Sequence, residues 1–313
     1  MVTEAAARAP GKAILFGEHA VVFGEGAIAV ALTLYFETRV RVSGGDETRV
    51  DGRPMDRKHH AYFQEAVRQA WGARGPLEIT TSSSVPSSSG LGSSAALTVA
   101  TVAALKAMRG RLSQEDVART AFEVEFAVQG RASPTDTSTA SHGRAVYIAR
   151  DEHERHLWTV EKGGNRWCIH DLEFPPMDFV IGYTGKKGNT AELIERVRRA
   201  CEADAGARAR IARIGAIVEE GRGALARHDL VRLGQLMDEN QGHLSALGVS
   251  SPELDALIAA ARPHALGAKL TGAGGGGSMI ALARDSKACS SAIERAGGKA
   301  FQAKIDREGV VVL

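Results

Sequence analysis

Cysteine is scarce in this chain. Three occur in 313 residues, Cys168, Cys201 and Cys289, far apart and without a CxxC. An odd number with no metal-type spacing predicts neither a disulfide framework nor a zinc site, and fits a reducing cytoplasm. No uninterrupted apolar run approaches the ~18 residues of a membrane span. The opening MVTEAAARAPGK has no apolar h-region, so no signal peptide is expected. An excess of charge is also missing. The 39 basic residues against 37 acidic leave a formal net charge of +2, which gives no reason to expect nucleic acid or an anionic membrane as partner. No basic block interleaved with aromatics is present, as single-strand binders use. GxxxxGK[ST] occurs nowhere, which excludes the P-loop nucleoside triphosphatases. No internal repeat is found.

Apolar residues, by contrast, make up 44% of the chain, enough for real cores. At ~150 residues per domain the length predicts about two. Residues 27–44 are rich in Val, Thr and aromatics and alternate toward their end, which predicts strands. Residues 56–71 carry Phe63, Ala66, Val67 and Ala70 on one helical face. PLEITTSSS returns to strand character. Residues 94–109 form a helix with hardly a polar face, predicted to be buried. Ser113 opens the next helix, to about Gln129, in a capping-box pattern. The stretches 143–150 and 156–162 read as a hairpin. Residues 163–176, with Gly-Gly-Asn and Pro-Pro and no periodicity, read as the boundary between domains of about 1–170 and 171–313. Beyond it come a strand at 177–185 and helices near 190–203, 207–226, 229–246 and 252–263, with Gly206 marking one break. A strand at 278–283, a helix at 286–297 and two closing strands complete an α+β second domain.

Four segments could carry chemistry. The first, residues 8–24, sets Lys12, Glu18 and His19 in an otherwise apolar run, where unpaired charges are expensive to bury. Either they face a site, or Lys12 snorkels and Glu18 and His19 form a turn. The second is SSSVPSSSGLGSSAAL at 82–97. Between positions 81 and 94 it holds eight serines and two glycines. That is linker composition, yet a strand precedes it and a buried helix follows. Glycines that let an anion approach the backbone, serine hydroxyls and a helix N-terminus together predict anion binding. The segment also fits GxGxxA, but the acidic residues ~20 positions on, Glu115 and Asp116, fall in a helix start, so a dinucleotide fold is disfavoured. The third is EVE at 123–125 with SPTDTST at 133–139. Asp136 could be a base and Glu123 or Glu125 a metal ligand, since carboxylates suit Mg²⁺. The two glutamates point to different helix faces, so only one can share the site. A turn and N-cap is the plainer alternative. The fourth, KLTGAGGGGS at 269–278, has five glycines in six residues. It runs into a strand, so its GxGxxG lacks the helix that a dinucleotide site needs; close backbone approach to a neighbour or ligand, or a disordered linker, would explain it.

Taken together these segments resemble the GHMP small-molecule kinases, in family order and across residues 8–278. APGKAILFGEHAVVFG is similar to the family's first motif, SSSGLGSSAAL to its ATP-phosphate loop and KLTGAGGGG to its third motif. ASPTDTST is similar to the catalytic-aspartate segment of the short archaeal-type members, and residues 239–255 to the helix–turn–helix before the third motif. The GEHAVV variant points to the branch whose acceptor is mevalonate. The resemblance implies a two-domain α+β GHMP kinase fold, ribosomal-S5-like in its N-terminal domain and ferredoxin-like in its C-terminal domain. It implies ATP- and Mg²⁺-dependent phosphorylation of the 5-hydroxyl of mevalonate, with phosphomevalonate or homoserine as the alternative acceptors, in a cytoplasmic homodimer. It also assigns residues. Asp136 would be the catalytic base and Lys12 its cationic neighbour. Pro86, Ser88, Ser89, Gly90, Leu91, Gly92, Ser93 and Ser94 would hold ATP, and Ser94 and Glu125 would hold Mg²⁺. Glu18, His19, Thr190, Ala273 and Gly274 would lie at the acceptor. Two departures stand out. Residues 86–89 read PSSS where many members have two prolines or a glycine, and Phe23 stands where some members carry histidine.

Overall fold

The computed structural model describes residues 2–86, 89–110, 112–130 and 132–313. Two long strands, Glu4–Phe16 (β1) and Ala27–Val42 (β2), pair antiparallel along most of their length, with register shifts at Pro10/Gly11 and Ile14/Phe16. The first shift falls beside a proline, which has no N–H to give the ladder. Four further strands join them directly or in a row: Arg49–Val50 (β3), Arg53–Pro54 (β4), Leu77–Ser83 (β5) and Ala145–Ala149 (β6). One edge of β2 is taken by β1; the other is shared, β6 pairing with residues 27–30 and β5 with residues 36–42. His156–Lys162 (β7) and Asn165–Leu172 (β8) extend the sheet to the order β4-β3-β5-β2-β6-β8-β7. Apart from β3 with β5, its pairings are antiparallel, and the strand that follows β5 in the chain, β6, is not its neighbour, so no dinucleotide-binding βαβ unit starts at β5.

Arg57–Ala66 (α1), Ser93–Ala107 (α2), Gln114–Gln129 (α3) and Thr135–His142 (α4) are the helices of this half. The α2 helix packs on β1 and β2 and against α3 and α4. Ten of its 15 residues are buried, which explains why it has no polar stripe. Ser113 caps α3 by accepting from Asp116 N.

A second sheet, entirely antiparallel, holds Asp178–Tyr183 (β9), Ala265–Thr271 (β10), Ser278–Ala283 (β11) and Lys299–Lys304 (β12) in the order β10-β11-β9-β12. With Ser286–Arg295 (α9) after β11 this is a ferredoxin-like arrangement. Its first crossover is enlarged to four helices, Thr190–Ala203 (α5), Ala205–Ala226 (α6), Leu230–Ala246 (α7) and Pro252–Ala261 (α8). The chain then returns to the first sheet. Asp306 N donates to Ala31 O and Arg144 N to Asp306 O, and Val311–Val312 (β13) pairs with β1. One apolar core crosses both sheets, joining Leu15, Ile28 and Leu32 to Ile181, Ile280 and the α6–α7 pair through Ile217 and Met237.

Three local expectations are corrected. The hairpin is β7–β8, not 143–150 with 156–162; β6 lies on the far edge of β8. Gly163 and Gly164, at φ 58° and 79°, make the tight turn that a right-handed twisted hairpin favours. Residues 168–171 of β8 are all buried, which erases the period-two pattern that would have revealed the strand. The break before α6 is at Asp204, whose carboxylate caps Gly206 N and Ala207 N; Gly206 is helical. No helix among the described residues is long and apolar enough to cross a membrane.

Candidate active site

Between the two sheets lies a cleft of about 580 Å³, lined by residues of β1, the 89–94 loop, α4, the α5 start and the 272–273 turn. Lys12 stands on β1 with only 3% of its surface exposed. Its Nζ is 3.1 Å from Asp136 Oδ1 and donates to Gly90 O at 3.3 Å. The apolar strand thus spans a charge that ends on a carboxylate and a loop carbonyl. Asp136 sits in the first turn of α4, where the helix dipole favours an anion.

The loop between β5 and α2 is shaped by its glycines. Gly92 ends it at φ 69° as the N-cap of α2, with no side-chain cap on the helix's first N–H groups. A Cβ there would meet Lys12 Cγ at 2.9 Å, so the position needs glycine for both conformation and space. The uncapped N-terminus faces the cleft beside Ser93 and Ser94, a ready anion site. Leu91 is fully buried in the core and touches the site only through its backbone, accepting from Lys12 N at 2.9 Å. Ser89 donates to Pro86 O at 2.7 Å, which braces the loop; Pro86 itself is not on the cleft wall. Ser88, like Ser87, lies outside the described residues.

Ser94 Oγ donates to Glu125 Oε1 at 2.9 Å, joining α2 to α3. Burial is the main cause that pushes the Glu125 carboxyl up to about 7, with repulsion from Asp136 adding to it; Ser94 and Lys12 act in the opposite direction. Glu123, two residues earlier, points to the surface and pairs with Lys162 at 2.6 Å. Two oxygen donors, one of them a buried carboxylate short of positive charge, are the chemistry of a hard-cation site.

Glu18 and His19 sit on a strained turn. His19 has φ 60° and ψ −43°, and Ala20 N donates to Glu18 O at 2.7 Å. This is a γ-turn, a conformation that persists only where its surroundings hold it. Those surroundings are visible. The Glu18 carboxylate is taken by Lys269 Nζ through Oε1 and by Asn240 Nδ2 at 3.1 Å through Oε2. Both side chains of the Lys269–Glu18 pair are fully buried, and burial pulls the Lys269 ammonium below its ordinary range while Glu18 opposes that. Glu18 therefore borders the cleft with its charge already matched from beneath. His19 Nε2 lies 2.9 Å from Ala273 O and must donate to it, since a carbonyl only accepts. Burial also lowers the His19 pKa, keeping the ring neutral with Nδ1 as an acceptor.

The glycine-rich turn 272–277 closes the third side. Gly90 and Gly272 approach each other through their backbones, and Thr271 Oγ1 accepts from Ile14 N at 2.8 Å and donates to Ile14 O at 3.1 Å. Thr271 thereby ties the end of β10 to β1, and the turn after it lies against the 89–94 loop. Ala273 faces the cleft with Thr190, the first residue of α5. Gly274 does not: it packs behind, against Val249 and Gly188. Tyr62, Lys187 and Leu97 also line the cleft; Tyr62 and Lys187 fall in none of the four segments, and Leu97, the last residue of SSSGLGSSAAL, is given no role of its own by the sequence. A second hollow of similar volume around residues 41–49 shows no such convergence; its Arg49 and Glu47 pair with each other at 2.7 Å.

The chain that builds this cleft is similar to known proteins. Residues 60–144 match the GHMP kinase N-terminal domain and residues 222–302 the GHMP kinase C-terminal domain. The chain belongs to the GHMP kinase family and is a small-molecule kinase, which implies use of ATP. Among its relatives, the mevalonate kinase of Pyrococcus horikoshii is 33% identical over 99% of this chain and 98% of the relative. That of Methanothermobacter thermautotrophicus is 36% identical over 89% and 90%. The crystal structure of L. major mevalonate kinase in complex with R-mevalonate is similar with a TM-score of 0.83, at 27% identity, over 96% of this chain and 95% of that one. The Methanococcus jannaschii mevalonate kinase gives a TM-score of 0.79 at 26% identity over 96% and 98%.

Proposed function

We propose that this chain transfers the γ-phosphoryl group of ATP to the 5-hydroxyl of mevalonate, giving 5-phosphomevalonate. The observation that carries the reading is the Lys12–Asp136 pair, 3.1 Å apart in the cleft and bonded through Lys12 to Gly90 of the phosphate loop. Phosphoryl transfer asks a protein mainly for positioning and charge stabilisation. Asp136 accepts the proton of the attacking hydroxyl, and Lys12 offsets negative charge between acceptor and γ-phosphate. The α2 N-terminus, with Ser93 and Ser94, cradles the phosphates. Ser94 and Glu125 fit a magnesium ion, being hard oxygen donors with an under-compensated buried carboxylate. When bound, the ion supplies charge neutralisation on the ATP phosphates. His19, Thr190 and Ala273 position the acceptor. Because the Nε2–H of neutral His19 is spent on Ala273, its Nδ1 suits a hydroxyl, and Lys187 suits the acceptor carboxylate. Mevalonate as the acceptor is supported by the relatives named above. The same reading includes a cytoplasmic location, in keeping with three free, buried cysteines. It also includes a homodimeric state and a division near residue 170, with the phosphate loop and Asp136 in the first part.

A coupled ADP-release assay over mevalonate, phosphomevalonate, homoserine and galactose tests the acceptor. The highest kcat/KM is expected with mevalonate; a preference for any other acceptor overturns the assignment.

Glu125→Gln separates metal binding from stability. A carboxyl raised from 4.5 to about 7 on folding makes the folded state hold more protons than the unfolded one. The metal-free protein therefore loses stability as pH rises between those values, on the order of 3 kcal/mol at 1.36 kcal/mol per unit. Glutamine keeps the shape and removes the titration. Metal-free Glu125→Gln is expected to be more stable than wild type above pH ~7 in urea titrations, yet to need more Mg²⁺ for turnover. An unchanged Mg²⁺ titration excludes Glu125 as a ligand.

A further inference from the structure

The sheet edge opposite β3 and β4 carries a cluster that the kinase reaction does not use. Glu152, in the β6–β7 connection, His156 on β7 and Cys168 on β8 bring a carboxylate oxygen, a ring nitrogen and a sulfur within 4.8 Å of one another. None of them lines the cleft. The spacing in sequence gives no hint of this grouping. It arises because the β7–β8 hairpin lays its two strands side by side and the preceding connection folds back over them.

We propose that Glu152, His156 and Cys168 form a binding site for a thiophilic divalent cation of the Zn²⁺ class, with water as fourth ligand. The donor set decides the class. Sulfur and imidazole with one carboxylate select zinc-like ions, whereas Mg²⁺ takes oxygen alone. A thiolate and a carboxylate together balance the charge of a divalent ion. Metal bonds of roughly 2.0–2.3 Å place tetrahedral ligand atoms about 3.5 Å apart. The contraction needed is at most about 1.3 Å, and Glu152 and His156, both exposed, can make it by loosening their bonds to Arg166 and Thr159. The surroundings already orient the donors, as outer partners do in metal sites. Thr159 Oγ1 lies 2.9 Å from His156 Nε2 and 3.5 Å from Cys168 Sγ, bridging the two. Arg166 holds Glu152 Oε1 at 2.9 Å. The His156 ring packs edge-on against His170, which is fixed in turn by Tyr147 O and His153 N. Cys168 Sγ donates to Arg150 O at 3.3 Å, and metal binding replaces that bond. Closing the site would staple β7, the outermost strand, and the connection before it to β8.

Full-length protein, stripped with chelator and desalted, is titrated with Co²⁺ in excess Mg²⁺. One equivalent is expected to produce a thiolate-to-cobalt charge-transfer band, and Zn²⁺ to displace it. Cys168→Ser abolishes the band. His156→Ala and Glu152→Ala, both at exposed positions, weaken binding at least ~10-fold and leave kinase turnover unchanged. Absence of the band in folded wild-type protein overturns the site. So does a band that survives in folded Cys168→Ser, or an affinity untouched by both exposed variants, since the thiolate would then be Cys201 or Cys289. Should Cys168→Ser fail to fold, the exposed variants decide alone.

Discussion

Asp136→Asn is expected to lower kcat by ~100-fold or more, the range of a lost general base, while ATP affinity stays close to wild type. Asparagine fills the same space and still reaches Lys12, but it cannot take the hydroxyl proton. ATP affinity should be kept because the proposed phosphate cradle is the backbone and serines at the α2 N-terminus, whereas Asp136 belongs to α4. The substitution also leaves the Lys12 ammonium, whose side chain is 4% exposed, without its counter-charge. Some destabilisation in the absence of nucleotide therefore accompanies the loss of rate. Steady-state kinetics with saturating ATP and mevalonate, beside a nucleotide-binding titration, separate the two effects. Turnover within a few-fold of wild type would remove Asp136 from the role of base. A parallel fall in nucleotide affinity would instead make the Lys12–Asp136 pair a brace for the phosphate loop.

What the sequence made legible followed from local chemistry. The serine- and glycine-rich stretch declared itself because a strand led into it and a helix without a polar face led out, and α2 is indeed buried on all sides. Lys12 called for a counter-charge because a lone ammonium in an apolar strand is costly, and it has one in Asp136. Glu125 was separable from Glu123 in principle by helix periodicity, and one faces Ser94 while the other faces Lys162. What stayed hidden was carried by distance along the chain. The strand β8 was invisible because both its faces are covered. Strand β10 passed unnoticed as the approach to a glycine run, although its Lys269 is the partner of Glu18, 251 residues away. Tyr62 and Lys187 reach the cleft only because α1 and the α5 start are folded toward it. The Glu152–His156–Cys168 grouping is of the same kind: no spacing rule finds a site whose geometry is made by strand pairing.

The Glu18–Lys269 pair carries the second large effect, this time on stability. Neither side chain has any exposed surface, and the pair joins the strained turn at His19 to β10, with Asn240 of α7 as a third member. Breaking a buried pair by removing one partner leaves a charge with neither water nor counter-ion, and typically costs about 3–5 kcal/mol. Lys269→Met is expected to fall in that range, measured as a lowered urea midpoint with an unchanged slope. Glu18→Gln should do the same, because it strands the lysine. In the double variant no buried charge is left, so the loss should be smaller than the sum of the two single losses by more than ~1 kcal/mol, the signature of residues that act on each other. The kinetic consequence runs through position rather than contact. With Glu18 unanchored, the γ-turn relaxes and His19 no longer holds Ala273, so KM for the acceptor should rise in the single variants under conditions where both remain folded. Additive losses in the double variant would mean that Glu18 and Lys269 are held separately, Glu18 by Asn240 and Lys269 by the Leu270 carbonyl at 2.6 Å. Single variants within ~1 kcal/mol of wild type, a typical net hydrogen bond, would mean that water reaches the pair and that the strain at His19 is held by its bond to Ala273 alone.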